Sequence, residues 1–202
     1  MRIPLLTVVV LLAAAASASA ESITGTGGAD FVVGSPAGDT IRALGGDDTV
    51  FGLRGADEIR AGAGDDRVEG DGACPGGEPA SCFNGSGGGA DVIFGNAGDD
   101  LVSAGAGNDR AVGGDGDDDL DGGDGRDRLV GAGGADTIDG GEDDDSISAG
   151  SGNDDVRGGS GDDTIDVRDG RRDVVACGRG RDRVRADRRD VTFPSCERVS
   201  LP

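Results

Sequence analysis

The 202-residue sequence contains no histidine, tyrosine or tryptophan, and aromatic residues make up only 2% of it. Without histidine, the chain can form neither a histidine-dependent catalytic triad nor a zinc site with histidine ligands. It also lacks a G-x-S-x-G nucleophile turn. Paired carboxylates are so numerous that they do not single out a glycosidase site. We therefore expect the protein not to be an enzyme.

Lysine is also absent, so all 19 basic residues are arginine, and they face 40 acidic residues for a net charge of −21. Repulsion of this size opposes compaction. The 42 glycines and few aromatic residues leave too little apolar surface to offset the entropy of ordering the backbone. We expect disorder without bound metal. A permanently disordered acidic chain is the alternative, but it predicts no fixed repeat period.

Residues 1–20 read MRIPLLTVVVLLAAAASASA, with one early arginine, an apolar run over 3–16 and small residues at the end. This pattern predicts a secretory signal peptide and a mature extracellular chain that begins near Glu21. No later apolar run reaches half of the ~20 residues that a transmembrane helix needs. The alternative is an uncleaved anchor, although no cysteine follows the run to accept a lipid.

The most regular stretch is residues 113–130, GGDGDDDLDGGDGRDRLV, which holds two copies of the pattern G-G-x-G-x-D-x-U-x, where U is aliphatic. The glycines permit positive φ angles and can turn backbone carbonyls inward. Asp118 and Asp127 add one carboxylate to each copy. Such oxygens, about 6 to 8 per ion, are the ligands of Ca²⁺. The aliphatic residue then faces inward from a short strand.

These nonapeptides resemble the RTX, or haemolysin-type, calcium-binding repeats over most of the mature chain. The resemblance implies an all-β fold, a right-handed parallel β-roll in which two nonapeptides form one 18-residue turn. It also implies several calcium ions, each between loops of adjacent turns on the same edge. The implied ligands are Asp30, Asp39, Asp48, Asp57, Asp66, Asp91, Asp100, Asp109, Asp118, Asp127, Asp136, Asp145, Asp154 and Asp163.

An aliphatic residue follows each of these aspartates by two positions and is predicted to face inward. These residues are Val32, Ile41, Val50, Ile59, Val68, Ile93, Val102, Ala111, Leu120, Leu129, Ile138, Ile147, Val156 and Ile165. Four positions weaken the pattern. Ser35 and Ala37 replace glycines in an early copy, Ala111 thins the core, and Asp143 replaces a turn glycine.

The repeat phase is interrupted between Val68 and Ile93, which are 25 residues apart, a gap we interpret as two nonapeptides plus seven extra residues. The expected organisation is a first repeat block over 21–68, a loop insertion over 69–85 and a second block over 86–167. The insertion contains Cys74 and Cys82 between proline- and glycine-rich segments that favour turns. In an exported protein these cysteines most simply form a local disulfide. A four-cysteine zinc site is the rival.

Residues 168–202 hold ten arginines and six acidic residues, whereas residues 21–167 hold eight and thirty-four. Two degenerate copies place Asp173 before Val175 and Asp182 before Val184. We expect this segment to form a basic cap over the last strand edges, which proteins normally cover. Cys177 and Cys196 are a second candidate disulfide. The alternative is a frayed basic tail.

The leading functional prediction is a secreted, non-catalytic, calcium-binding roll with a structural or cell-surface role and no nucleic-acid partner. Some bacterial polyuronate epimerases carry similar modules, so the second prediction is a module that binds anionic polysaccharide. Arginines 18 residues apart would stack on adjacent turns, where an anion could relieve their repulsion. These pairs are Arg42 with Arg60 and Arg110 with Arg128. An ice-binding roll would need a regular outward threonine or asparagine ladder, which the sequence lacks.

Phe94, Val112 and Val130 are also 18 residues apart and directly follow inward positions. They are predicted to form an outward apolar stripe that meets a partner protein or a second copy of the chain. The alternative is that they are good strand formers on an exposed sheet.

Overall fold

A computed structural model describes residues 9–12, 19–71 and 88–201, and the described ranges contain twenty short β-strands and no helix. No helix that could cross a membrane is therefore found among them. The odd-numbered strands are β1 (Val9–Leu12), β3 (Asp30–Val33), β5 (Thr49–Phe51), β7 (Arg67–Glu69), β9 (Leu101–Ala106), β11 (Asp119–Asp124), β13 (Thr137–Glu142), β15 (Asp155–Ser160), β17 (Val174–Arg179) and β19 (Val191–Thr192). The even-numbered strands are β2 (Ser22–Thr24), β4 (Thr40–Gly45), β6 (Glu58–Ala63), β8 (Val92–Ala97), β10 (Arg110–Asp115), β12 (Arg128–Gly133), β14 (Ser146–Ser151), β16 (Thr164–Asp166), β18 (Arg183–Arg185) and β20 (Arg198–Ser200).

The strands form two parallel ten-stranded sheets, one from the odd-numbered and one from the even-numbered strands. In the central turns each residue pairs with the residue 18 positions later, as Leu120 does with Ile138 and Leu129 with Ile147. One turn of the solenoid therefore holds two nonapeptides, one strand in each sheet. This confirms the predicted parallel β-roll.

A narrow core lies between the two sheets. In β11, Leu120 is fully buried, Asp121 is exposed on the outer surface, and Gly122 again points inward. All the aliphatic residues predicted to face inward are buried, including Ala111. The second inward position of each central strand is only glycine or alanine, so each turn contributes at most one large apolar side chain per sheet.

The glycines of one repeat have two separate functions. Gly114 and Gly116 adopt φ angles of 136° and 141°, in the left-handed region that glycine tolerates best. Gly113, by contrast, does not have such an angle, and an added Cβ there would collide with the carboxylate of Asp118. The prediction of positive φ thus holds for the second and third glycines of the repeat, while the first glycine leaves room for the aspartate carboxylate. Asp143, which replaces a turn glycine, has a φ of 73°.

The register across the insertion corrects the predicted count of seven extra residues. Val68 pairs with Val102, and Ile59 pairs with Ile93, in each case 34 positions apart rather than 18. The insertion therefore adds sixteen residues to the 18 of an ordinary turn. The nine-residue period alone could not distinguish seven extra residues from sixteen, because the 25-residue gap between Val68 and Ile93 equals either two nonapeptides plus seven residues or one nonapeptide plus sixteen.

Cys74 and Cys82 lie outside the described residues, so their disulfide stays a prediction.

The C-terminal segment continues the roll. Strand β19 pairs with β17 and β20 pairs with β18, and a disulfide joins Cys177 to Cys196 with a Cα–Cα distance of 5.1 Å. Cys177 is completely buried at an inward position of β17. This confirms the second candidate pair. Arginine side chains also face acidic groups of the preceding turn, as Arg181 does with Asp162 at 2.9 Å.

Replacing Cys177 and Cys196 together by alanine is expected to lower the free energy of unfolding in calcium by about 3 kcal/mol, the typical effect of closing a loop of this length. Urea denaturation followed by circular dichroism would measure the loss. The matched control replaces Cys74 and Cys82 by alanine. Substitution changes one cysteine pair at a time, whereas a reductant would act on both pairs together. An unchanged midpoint in the Cys177/Cys196 variant would contradict a stabilising role for this disulfide.

Candidate metal sites along the two edges

All fourteen aspartates predicted as ligands are buried, with at most 4% of each residue exposed. Each lies at the end of a loop, directly before the strand that carries its aliphatic residue into the core, except Asp30, which is the first residue of β3. Because successive loops alternate between the two edges of the roll, the aspartates form two columns. The first column holds Asp30, Asp48, Asp66, Asp100, Asp118, Asp136 and Asp154, and the second holds Asp39, Asp57, Asp91, Asp109, Asp127, Asp145 and Asp163.

Hydrogen bonds connect the members of each column. The backbone N–H of Asp109 donates to Oδ1 of Asp127 at 2.8 Å, and the N–H of Asp127 donates to Oδ1 of Asp145 at 2.8 Å. The same bond recurs along both columns. A buried backbone N–H needs an acceptor, and here the aspartate of the next turn supplies it. One carboxylate oxygen of each aspartate from Asp39 onward therefore has a structural role in holding adjacent turns together.

Asp173 and Asp182 extend the columns although they were not among the predicted ligands. Both are completely buried, and they accept the N–H of Asp154 and Asp163 at 2.9 and 3.0 Å. The sequence signal was present, since each precedes an inward valine by two residues. The columns then end on groups that no nonapeptide contains: Asp190 accepts the N–H of Asp173, and Glu197 that of Asp182.

The second oxygen of most column aspartates has no protein partner. Oδ2 is buried and makes no hydrogen bond in Asp48, Asp57, Asp66, Asp91, Asp100, Asp109, Asp118, Asp127, Asp136, Asp145, Asp154, Asp163, Asp173 and Asp182. A buried carboxylate oxygen without a partner is costly, and native proteins rarely leave one unexplained. A repeated set of such oxygens is what a row of bound cations requires.

The first two aspartates differ from the rest. Oδ2 of Asp30 accepts the backbone N–H of Thr26 at 2.5 Å, and Oδ2 of Asp39 accepts that of Ser35 at 2.5 Å. The Ser35 hydroxyl adds a hydrogen bond to Oδ1 of Asp39 at 3.0 Å. These contacts occupy the oxygens that stay unpartnered in later turns.

Asp71 is a partly buried carboxylate that the repeat period did not predict. It lies near the start of the predicted loop insertion over 69–85, and its Oδ2 accepts the N–H of Gly89 at 2.9 Å. Its Oδ1 is buried without a partner, and burial is the main cause that raises its pKa to about 6.

Glycine keeps the space beside the unpartnered oxygens open. A Cβ added to Gly122 would lie 2.6 Å from Oδ2 of Asp127 and 2.5 Å from the carbonyl oxygen of Gly140 in the next turn. A carboxylate and a backbone carbonyl from adjacent turns therefore border the same space, which any side chain at Gly122 would fill.

Burial raises the pKa of the column aspartates from Asp48 onward above the ordinary value of 3.8. The pKa of Asp127 and of Asp145 rises to about 7, and that of Asp91 rises to about 8. The backbone N–H bond lowers each value, and neighbouring carboxylates raise it again. At neutral pH these groups need either a proton or a cation.

Comparison with known families identifies the repeat that produces this geometry. The model of the RTX calcium-binding nonapeptide repeat matches residues 24–59, 44–73, 86–111, 94–129, 103–138, 112–147 and 130–165, which together cover more than half of the sequence. The chain belongs to the RTX calcium-binding repeat family. No curated protein matches the chain. Asp173 and Asp182 lie beyond the last matched repeat.

The donor atoms suit the cation that RTX repeats bind. Among the described residues, no three acidic or cysteine side chains come together as a metal cluster. A site here must therefore combine column carboxylates with backbone carbonyls of the turns. Calcium accepts such an all-oxygen set, whereas zinc prefers nitrogen and sulfur. The residues present thus fit calcium.

Proposed function

We propose that this RTX chain is an exported, non-catalytic protein whose β-roll folds when calcium binds to the loops on both edges, and that it serves a structural or cell-surface role. The observation that carries the proposal is the set of buried, unpartnered Oδ2 atoms repeated from Asp48 to Asp182. A structural protein without metal would have no reason to bury the same orphaned oxygen in every turn.

The ligands in this proposal are the column aspartates from Asp48 to Asp163, together with turn carbonyls of adjacent loops. Asp173 and Asp182 are added to the predicted set, while Asp30 and Asp39 are weaker members because their oxygens are already bonded. Bound calcium would supply positive charge beside these oxygens. The protein groups hold the oxygens at fixed positions through the N–H to Oδ1 bonds between turns.

Charge balance supports a link between metal binding and folding. Residues 21–167 carry eight arginines and thirty-four acidic residues, a formal charge of −26. On the order of ten to thirteen divalent ions would nearly cancel it. Since the two loops of one site meet only in the folded roll, the free energy of binding contributes directly to folding.

This coupling gives export a physical rationale. Extracellular modules with dissociation constants of about 10⁻⁴–10⁻³ M fill in millimolar calcium, but not at the low calcium of cytoplasm. The chain would cross the membrane unfolded and fold outside, where disulfides also form. Strand β1 lies within the proposed signal peptide and pairs with β3, so cleavage after Ala20 would remove it and expose the edge of β3.

Replacing Asp127 by asparagine is expected to raise the calcium concentration at the folding midpoint by about tenfold, the effect of losing one charged ligand. Asparagine keeps the size of the side chain and an oxygen acceptor for the N–H of Asp109, so the bonds between turns survive. A calcium titration followed by far-ultraviolet circular dichroism gives the midpoint.

The matched control is Asp119→Asn, because Asp119 carries the same charge on the exposed outer surface of β11. It should shift the midpoint by less than about twofold. Equal shifts in the two variants would mean that calcium acts only through general screening of an acidic surface, and the proposed sites would then be wrong.

An anionic polysaccharide is a second candidate ligand. The observation in its favour is that the guanidinium groups of Arg60 and Arg110 each lie 5.3 Å from the centre of the Phe94 ring. An aromatic ring flanked by cations can stack on a sugar and pair with its carboxylate. Retention of the folded chain on a polyuronate column in calcium would support this candidate.

A further inference from the structure

The outer surface of the even-numbered sheet, here the even face, carries a basic and apolar surface in its central turns. The register places Phe94 beside Val112, Val112 beside Val130, and Arg110 beside Arg128. This confirms the predicted adjacency of these residues. The three apolar side chains are only partly buried, while both arginines are exposed. A flat apolar stripe thus runs alongside a column of guanidinium groups.

Arg110 and Arg128, on the central turns of the even face, lack carboxylate partners, unlike Arg60 of β6, which pairs with Glu58. Among the described residues, no acidic group lies within ion-pair distance of Arg110 or Arg128, although they are adjacent in the sheet. Like charges placed side by side in this way are destabilising. Since the chain has twice as many acidic residues as basic ones, the isolation of these cations on one face requires a reason.

The outer surface of the odd-numbered sheet, here the odd face, has the opposite charge in the corresponding turns. Asp119 and Asp121 project from β11, and the register places Asp121 directly beside Asp139 of β13. Within the described part of the chain, none of these three forms an ion pair. Partial burial is the main cause that raises the pKa of Asp121, and the nearby charges of Asp139 and Asp119 raise it further.

The two faces share one spacing. Both are built from strands that repeat every 18 residues and lie about 4.8 Å apart in the sheet. Arg110 and Arg128 therefore have the same separation along the roll as Asp121 and Asp139. When two such faces are stacked, successive guanidinium groups can meet successive carboxylates without stretching either sheet.

We propose that the even face of one molecule docks on the odd face of a second copy, with Arg110 and Arg128 opposite Asp121 and Asp139 and the Phe94–Val112–Val130 stripe covered at the contact. The contact joins two different surfaces, so it leaves a free even face and a free odd face at the ends of every assembly. Such heterologous contacts produce open chains of molecules rather than closed dimers.

A second copy explains more than a polysaccharide does. An anionic polymer would relieve Arg110 and Arg128, but it would leave the adjacent carboxylates of Asp121 and Asp139 with a single neighbouring arginine, Arg157 of β15, which the register places beside Asp139. A second copy relieves both, and it also covers the apolar stripe. This inference goes beyond calcium-driven folding but requires the folded roll, so circular dichroism in calcium must accompany every measurement.

The test uses two charge-reversal variants of the full chain in calcium. Arg110→Glu with Arg128→Glu makes both faces acidic, and Asp121→Arg with Asp139→Arg makes both faces basic. Sedimentation velocity over a concentration series should show assemblies for the unmodified chain and monomers for each variant alone. In an equimolar mixture, the acidic faces of the Arg110→Glu/Arg128→Glu variant complement the basic faces of the Asp121→Arg/Asp139→Arg variant, so assemblies should form again.

Two controls separate this contact from general charge effects. Arg171→Glu with Arg172→Glu changes the net charge as much as the first variant but lies on the exposed cap, so it should assemble like the unmodified chain. Raising the salt from about 0.1 M to about 1 M shortens the screening length from about 10 Å to about 3 Å and should dissolve the assemblies. If a reversal variant loses its fold, Arg110→Gln with Arg128→Gln replaces it and should weaken assembly by at least about tenfold.

Three results would overturn the proposal: a folded, unmodified chain that stays monomeric at low salt, reversal variants that assemble like it, or a mixture that stays monomeric. A monomeric chain that binds polyuronate through Arg110 and Arg128 would identify the polysaccharide as the occupant instead. Loss of circular dichroism in calcium would point to a failure of calcium-driven folding, which is thereby distinguished from a failure of docking.

Discussion

Removing calcium with excess EDTA at neutral pH is expected to unfold the roll almost completely. The folded chain buries a row of carboxylates whose repulsion only cations offset at this pH. A compact chain of this length has a radius of gyration of about 16 Å, against about 45 Å when unfolded. Small-angle scattering should therefore show at least an approximate doubling, and far-ultraviolet circular dichroism should lose its β signal.

Adding calcium back in excess over EDTA should restore both signals, which separates metal removal from irreversible damage. Magnesium is a matched control, because it demands a smaller, nearly octahedral site and releases its water reluctantly. A chain that stays compact in EDTA would refute calcium-driven folding even if calcium still bound to it.

Acidification of the calcium-free chain is expected to restore part of the fold. Burial raises the pKa of Asp57, Asp100 and Asp136 to about 7 in the folded state, above the ordinary 3.8. The folded state therefore binds more protons than the unfolded state between about pH 4 and pH 8. Stability is then greatest near the lower value and is lost as the pH rises through about 6 to 8.

Circular dichroism in EDTA between pH 4.5 and pH 8 would follow this transition, with a β signal present at about pH 4.5 and absent at about pH 8. In saturating calcium the same pH range should leave the signal nearly constant, because the cation replaces the proton. If the calcium-free chain gained no structure on acidification, the buried carboxylates would not be the groups that keep it unfolded.

The sequence by itself determined the turn of the roll. The strict nine-residue period of aspartate and aliphatic residues resembles the RTX repeats, and that resemblance implied a parallel roll with two nonapeptides in each turn. It also implied that Asp118 and Asp127 would occupy equivalent loop positions as calcium ligands. These features follow from local spacing, which the chain carries in every repeat.

The tertiary structure decided what depends on contacts between turns. The size of the insertion required the pairing of Val68 with Val102, since the period fits either count. The ends of the columns required Asp190 and Glu197, which reach back from a segment without the repeat. The close approach of Gly122 to the carbonyl oxygen of Gly140 and the opposite charges of the two outer faces likewise appear only when turns are stacked, because each arises between residues about 18 positions apart or on separate sheets.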